Sequence, residues 1–225
     1  MPFEGLHAVG RRGTEITCAI TAVLENSQAW VVLKFGGTSV SSAANWHNIA
    51  GVIRARIAAS FRPVIVHSAL SGITDRLDSL LAAAVSGTHL GVLEQIEAKH
   101  RDLAQTLGIV PSPQFERFMQ ELKHLADSGA HSGKISDGTR ARVLAMGELL
   151  ATSLGATFLN AQGIDTAWAD ARLVLRADTR PGATQKAGLL SATCDFTPDA
   201  ALQSRWRALD QVVITQGFIA SNDAG

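Results

Sequence analysis

Short apolar runs and helical patterns alternate along the chain. The run 31–35 is almost wholly apolar and stops at two glycines, and a helical pattern follows whose apolar face extends from Trp46 to Ile57. The same order recurs where the apolar run 64–66 leads through residues 68–72 into a second helix. Strand, glycine turn and helix in this order are typical of βαβ units. The sequence therefore predicts an α/β fold whose sheet is mostly parallel and is buried on both faces.

The second half of the chain continues this pattern with longer helices. Residues 88–126 and 136–153 are predicted to be helical, with a break at the two prolines of 111–113. Further strands are predicted at 164–169, 173–175 and 212–215. Gly147 lies inside the later helix, where glycine costs up to about 1 kcal/mol relative to alanine. We therefore expect a ligand or another backbone to approach closely at that position.

Composition limits the classes of function. The 225 residues are 46% apolar, and 20 Lys plus Arg balance 20 Asp plus Glu, which is typical of a globular protein. The neutral charge balance argues against nucleic acid as a partner. The sequence has no run of about 18 apolar residues, so it does not predict a membrane-spanning helix. Cys18 and Cys194 form neither a zinc motif nor a disulfide framework, which indicates a reducing compartment.

Residues 1–29 differ from the rest of the chain. Arg11 and Arg12 precede a mildly apolar stretch, 16–24, as they would in a secretion signal, but Glu15 interrupts that pattern. We interpret 1–29 as an extension or leader and residues 30–225 as the folded unit.

The first glycine turn, Lys34-Phe-Gly36-Gly37-Thr38, has the features of a phosphate site. Glycines permit positive φ and close approach to main-chain amides, a helix N-terminus favours anions, and Lys34 supplies a positive charge. The alternative is a plain strand-to-helix turn whose lysine reaches solvent.

The second turn, Ser68 to Thr74, repeats this arrangement. Ser71, Gly72 and Thr74 can expose amides and hydroxyls to a carboxylate or phosphate, although ordinary N-capping is the simpler interpretation of this turn alone. Two turns that follow neighbouring parallel strands are expected to face one crevice.

Three other features have plainer interpretations. Glu148 is interpreted, without further information, as a solvated residue on a helix face, with a cationic ligand as the alternative. Residues 129–136 are similar to a P-loop but have one residue too few between the glycines, so they are interpreted as a loop between helices. His67 is interpreted as a packed or half-exposed histidine.

The segment Lys34-Phe-Gly-Gly-Thr-Ser-Val40 resembles the opening signature of aspartate kinases, in the amino-acid-kinase superfamily. Three later segments resemble the same family in the same order, namely Val66–Asp75, Met146–Leu150 and Val213–Ile219. The resemblance runs from about residue 30 to the end of the chain. It implies a three-layer αβα sandwich and, for 30–225, the N-terminal, amino-acid-binding portion of the catalytic domain, before a nucleotide lobe.

The resemblance also implies roles for single residues. Contacts to the ATP phosphates are implied for Lys34, Gly36, Gly37 and Thr38, with Lys34 catalytic, and contacts to L-aspartate are implied for Ser68, Thr74, Glu148 and Phe218. Glu148 would bind the ammonium group. The implied reaction transfers the γ-phosphoryl group of ATP to the aspartate side chain, with Mg²⁺ as cofactor and no residue of this chain assigned to the metal.

The implied enzyme is a cytoplasmic homo-oligomer that starts lysine, threonine and methionine synthesis. Two alternatives stay open: a kinase for glutamate or acetylglutamate, and a catalytically incomplete fragment that only binds or supports. Two departures from the family are visible. His67 stands where an aliphatic residue is more usual, and Arg176-Ala-Asp178-Thr179 matches the family only loosely, so it is assigned no role.

Overall fold

The computed structural model describes residues 28–178, 184–190, 193–194 and 197–222. The predicted extension lies outside these residues except for its last two positions, and Cys18 and Thr179 also lie outside them.

The strands of the described residues form one sheet. They are β1 (Trp30–Phe35), β2 (Arg62–His67), β3 (Thr166–Trp168) and β4 (Val212–Gln216). Their spatial order is β1-β2-β4-β3, and every neighbouring pair is parallel. The carboxyl ends of all strands therefore meet at one edge. The predicted parallel sheet is confirmed.

Helices connect and cover the strands. They are α1 (Ala43–Ala58), α2 (Ile73–Val85), α3 (Leu90–Thr106), α4 (Pro113–Ser132), α5 (Asp137–Ala161), α6 (Ala171–Val174), α7 (Gln185–Leu190) and α8 (Ala200–Leu209). Serine hydroxyls at Ser42, Ser112 and Ser136 accept a main-chain N–H three residues later, which starts α1, α4 and α5.

Helices lie on both faces of the sheet. His67 of β2 packs edge-to-face against Trp46 of α1. Arg62 of β2 points to the opposite face, because side chains alternate along a strand, and its guanidinium donates to the carbonyl of Arg207 in α8. The expected αβα sandwich is thereby confirmed.

Helix α5 forms the centre of the core. It packs on β3 and β4 and also against α2 and α4. A Cβ at Gly155 would lie 2.4 Å from Trp46 and 2.9 Å from Ile214, so only glycine fits there. By length and composition α5 could cross a membrane, but 83% of its most apolar window is buried inside this fold.

The close approach expected at Gly147 is real, but its partners are core side chains. A Cβ at Gly147 would lie 2.9 Å from Ala69, 3.1 Å from Leu77 and 3.3 Å from Ile73. The glycine therefore lets α5 pack tightly against α2 and the turn before it.

Two element predictions need correction. The proline break divides α3 from α4, as predicted, but α4 continues to Ser132, so only 133–136 joins α4 to α5. The strand predicted at 173–175 is wrong, because α6 occupies most of it. The Asp170 side chain accepts the Arg172 N–H and caps that short helix.

Candidate active site

The turns after β1 and β2 touch each other at the carboxyl edge of the sheet. A Cβ at Gly37 would lie 2.6 Å from the carbonyl oxygen of Ala69, whereas a Cβ at Gly36 would meet nothing within 4 Å. Gly36 has a φ of −80°, and Gly37 has no positive φ. Neither glycine uses the positive φ that this residue type permits. Gly37 is needed for a close approach of two backbones.

Ser41 ties the two turns together. Its hydroxyl donates to the Gly37 carbonyl at 2.6 Å and accepts the Ser71 N–H at 2.8 Å. Helix α2 has no side-chain cap, because Gly72 precedes it with a φ of 73°. The ordinary N-capping interpretation of this turn is therefore wrong, and the two turns contact each other at the carboxyl edge of the sheet.

Main-chain donors remain open at the first turn. The Ser39 N–H donates to the Gly36 carbonyl, while neither the Gly36 nor the Gly37 amide donates to a main-chain carbonyl of the described residues. Thr38 lies next to them in a single 3₁₀ turn, Gly37–Val40, and is exposed. Two open amides beside a lysine form a small anion-binding arrangement.

Glu148 is buried, and the solvated interpretation is wrong. The residue is 6% exposed, and its Oε2 atom accepts the main-chain N–H of Gly217 at 2.8 Å and of Phe218 at 3.0 Å. Burial raises the pKa of Glu148, and the two amides and the charge of Lys34 oppose that rise. Oε1 accepts no hydrogen bond from the described residues, so it remains for a ligand.

The side chain of Lys34 in β1 lies close to that of Phe218, which follows β4. The ammonium Nζ lies 5.5 Å from the centre of the Phe218 ring, a cation–π distance. Phe218 is 75% exposed, and Lys34 is exposed at the open face of β1. A positive charge and an aromatic surface thus stand beside the Glu148 carboxylate.

Ser68 and Thr74 lie near this group without touching it. Ser68 is half-buried at the end of β2, and Thr74 is the exposed second residue of α2. Their neighbours Ala69 and Ile73 pack against Gly147, the residue before Glu148. The described contacts include no direct one from Ser68 or Thr74 to Glu148.

His67 is packed, as expected. It is fully buried, and its ring Nδ1 lies 2.9 Å from the Ser68 carbonyl, which can only accept, so Nδ1 carries the proton. Burial lowers the pKa of His67 to about 4. The histidine therefore stays neutral and holds the start of the second turn.

Sequence reasoning missed the residues that join these parts. Ser41 lies just past the first motif. Thr152 and Gln216 lie in apolar elements, and a polar residue in such an element is the signal that could have identified them. A cleft of about 610 Å³ adjoins the site, lined in part by Ser41, Leu70 and Lys99, and contains none of the predicted residues. Among the described residues, no group of three or more His, Cys, Asp or Glu could hold a metal ion.

Comparisons with known proteins identify the family of the chain. Residues 29–225 match the model of the amino acid kinase family. The aspartokinase of Chlamydia muridarum is 28% identical over 90% of this chain and 42% of its own length. Lysine-sensitive aspartokinase 3 of Escherichia coli is 30% identical over 87% of this chain and 42% of its own length.

A solved structure shares the fold as well. Escherichia coli aspartokinase III in complex with aspartate and ADP superposes with a TM-score of 0.68 at 29% identity, covering 88% of this chain and 42% of that one. The chain thus spans about two fifths of the length of the relatives that it matches. The match over residues 29–225, together with the glycine turns and the sheet order, shows that the chain belongs to the amino acid kinase family.

Proposed function

We propose that the protein containing this chain is an aspartate kinase and that residues 30–225 form its amino-acid-binding portion. The observation that carries the proposal is the buried Glu148 carboxylate, held by the Gly217 and Phe218 amides beside Lys34. The names of the relatives and the aspartate and ADP in the solved aspartokinase III complex support it.

The amino acid would lie between Glu148 and Phe218. Oε2 of Glu148 is occupied by two amides, which leaves Oε1 to accept a hydrogen bond from the substrate ammonium group. A charge-assisted hydrogen bond in a buried place is stronger than one in water. The ring of Phe218 would cover one side of the bound amino acid, and the hydroxyls of Ser68 and Thr74 would lie at its border.

The phosphates would lie at the first turn. The open amides of Gly36 and Gly37 and the hydroxyl of Thr38 face the same edge as Lys34. The lysine would neutralise the charge on the transferring phosphoryl group, and positioning together with such neutralisation is the main source of catalysis in phosphoryl transfer.

The chemistry needs no general base. An aspartate side-chain oxygen, already ionised at neutral pH, attacks the γ-phosphorus of ATP. A new O–P bond forms, the bond to the β-phosphate oxygen breaks, and ADP leaves with that electron pair. The product is 4-phospho-L-aspartate.

The resemblance implies Mg²⁺, but no cluster of the described residues fits a metal ion. We therefore derive no step through the metal from this chain. Nucleotide use is supported by the ADP complex of aspartokinase III. A cytoplasmic location, homo-oligomeric assembly and a role in lysine, threonine and methionine synthesis stay predictions.

Calorimetry with the purified chain tests the substrate. We expect L-aspartate to bind, and L-glutamate and N-acetyl-L-glutamate to bind at least about tenfold more weakly, because a pocket that fits one carboxylate position disfavours a chain one methylene longer. If L-glutamate binds more strongly than L-aspartate, the substrate of the site is not aspartate. No binding of any of the three would contradict the amino-acid site.

Turnover is tested in the protein that contains this chain. With ATP and L-aspartate, an acyl phosphate should form and be trapped by hydroxylamine as a hydroxamate. ATP alone should give none. For the isolated chain we expect weak ATP affinity, and submicromolar affinity would contradict its assignment as the amino-acid-binding portion.

A further inference from the structure

A buried hydrogen-bond network lies directly behind the Glu148 carboxylate. The hydroxyl of Thr152 accepts from Gln216 Nε2 at 2.7 Å and from Trp168 Nε1 at 2.9 Å, and it donates to the Glu148 carbonyl at 2.7 Å. One donor and two acceptor positions are all that a hydroxyl offers. Thr152 is 0% exposed and Gln216 is 2% exposed, so water cannot replace these bonds.

The network fixes the side-chain amide of Gln216. Because the Thr152 hydrogen points to the Glu148 carbonyl, Gln216 must turn its NH₂ group toward Thr152. Its Oε1 atom then accepts the Ala171 N–H at 2.7 Å. Gln216 thus joins helix α5 to the start of α6.

The residues after the site are fixed to the same region. The Ser221 N–H donates to the Leu175 carbonyl at 3.1 Å, and the Ser221 hydroxyl donates to the Arg172 carbonyl at 2.6 Å. Segment 217–220 is therefore held at both ends, by Gln216 before it and Ser221 after it. This segment carries the two amides that bind Glu148.

We propose that Thr152, Gln216 and Trp168 are positioning residues that hold the Gly217 and Phe218 amides on the Glu148 carboxylate and so set the geometry of the ammonium site. The ligand in this statement rests on the proposed function, whereas the hydrogen bonds do not. The hydrogen bonds that involve the side chains of Thr152, Gln216, Trp168 and Ser221 are buried or half-buried and no longer than 2.9 Å.

Amide hydrogen exchange by NMR tests the proposal on the chain without ligand. Thr152→Val keeps the shape but removes the shared hydroxyl, leaving two buried donors unpaired. We expect the Gly217 and Phe218 amides to exchange at least about fivefold faster, the factor that corresponds to one lost hydrogen bond. The indole N–H resonance of Trp168 should also shift.

The control is Thr157→Val, the same substitution on the same helix, where the hydroxyl donates only to the Ser153 carbonyl. It should leave both amides unchanged. If Thr152→Val does not fold, Trp168→Phe removes one donor and keeps the packing on Phe118, and it must then accelerate the same amides. Unchanged exchange in the folded variant would overturn the proposal.

Aspartate affinity separates the two proposals. If the unmodified chain binds aspartate, Thr152→Val should weaken that binding about fivefold, and equal affinity would overturn the positioning role. If the unmodified chain does not bind aspartate, the proposed function fails, and the exchange rates still decide the positioning role.

Discussion

The carboxylate of Glu148 accepts the main-chain N–H of Gly217 at 2.8 Å across 69 residues of sequence. This bond joins the central helix of the core to the turn after β4. Oε2 is held by the two main-chain amides, and in the proposed function Oε1 accepts from the substrate.

Lys34→Ala should reduce turnover by about a hundredfold or more, because a charge aimed at the transferring group is lost. The affinity for aspartate should change much less, because the proposed function places the substrate ammonium group at Glu148 and not at Lys34. Steady-state kinetics of the protein that contains this chain, together with aspartate titration, would measure both. Lys134→Ala, an exposed lysine in segment 133–136, is the matched control. Near-normal turnover in Lys34→Ala would contradict the assignment of Lys34 to the ATP phosphates.

Glu148→Gln should weaken aspartate binding at least about tenfold, since the NH₂ group that takes the place of Oε1 cannot accept a hydrogen bond from the substrate ammonium group. The glutamine oxygen can still accept the Gly217 and Phe218 amides, so the fold should persist. Calorimetry gives the affinity and circular dichroism the fold. Glu94→Gln changes an exposed acid of α3 and should alter neither measurement. Equal affinity in both variants would remove Glu148 from the site.

When the pH is lowered, the affinity for aspartate should fall at a higher pH than the one at which exposed glutamates take up a proton. Burial raises the pKa of Glu148, so this side chain takes up a proton at a higher pH than an exposed glutamate does. The protonated acid no longer pairs with an ammonium group. Titrations from pH 7 downward would show the loss. In Glu148→Gln that part of the pH dependence should vanish, and its survival would assign the effect to another group.

Gly37→Ala should destabilise the fold by about 1–3 kcal/mol, because the new methyl group would overlap the Ala69 carbonyl. Gly36→Ala is the paired control, since its Cβ would enter open space at a φ of −80°. Its free energy of unfolding should change by less than about 0.5 kcal/mol. Urea unfolding compares the two variants, and equal stability would show that the turns can separate at no cost.

The free energy of unfolding should fall as the pH is lowered from 6.5 toward 4. Burial lowers the pKa of His67 and of His100 to about 4, while the unfolded chain binds protons near 6.5. Between these values the unfolded state holds more protons, so each histidine costs up to about 1.4 kcal/mol per pH unit. His67→Leu should remove roughly half of this slope, and the exposed His124→Leu none of it. An unchanged slope in His67→Leu would contradict the buried, neutral state.

The sequence predicted most of the strands because each is an apolar run that stops at glycine or at a polar residue. It failed at 173–175, where Leu173 and Leu175 resemble a strand but Asp170 caps a short helix instead. Alternation over three residues cannot be told from one helical turn, and the cap decides between them.

The candidate site residues follow from the motifs, but the contacts between them do not. Glycines at 36 and 37 permit several backbone arrangements, and the structure shows a close approach to Ala69 in a second, distant turn. The sequence around Glu148 favours a solvated side chain, since its hydrogen-bond partners Gly217 and Phe218 lie far along the chain. Contacts of this length follow from the sheet order, which local patterns do not reveal.

The order in which the chain is synthesised separates helix α5 from β4, one of the strands on which it packs. Residue 217 leaves the ribosome about 3 to 14 seconds after residue 148, at about 5–20 residues per second. During that time α5 lacks β4, and Glu148 lacks both amides. A nascent chain paused in this interval would present a helix long and apolar enough to engage chaperones or membrane insertion machinery. We expect the yield of folded protein in a cell to fall when translation pauses between α5 and β4.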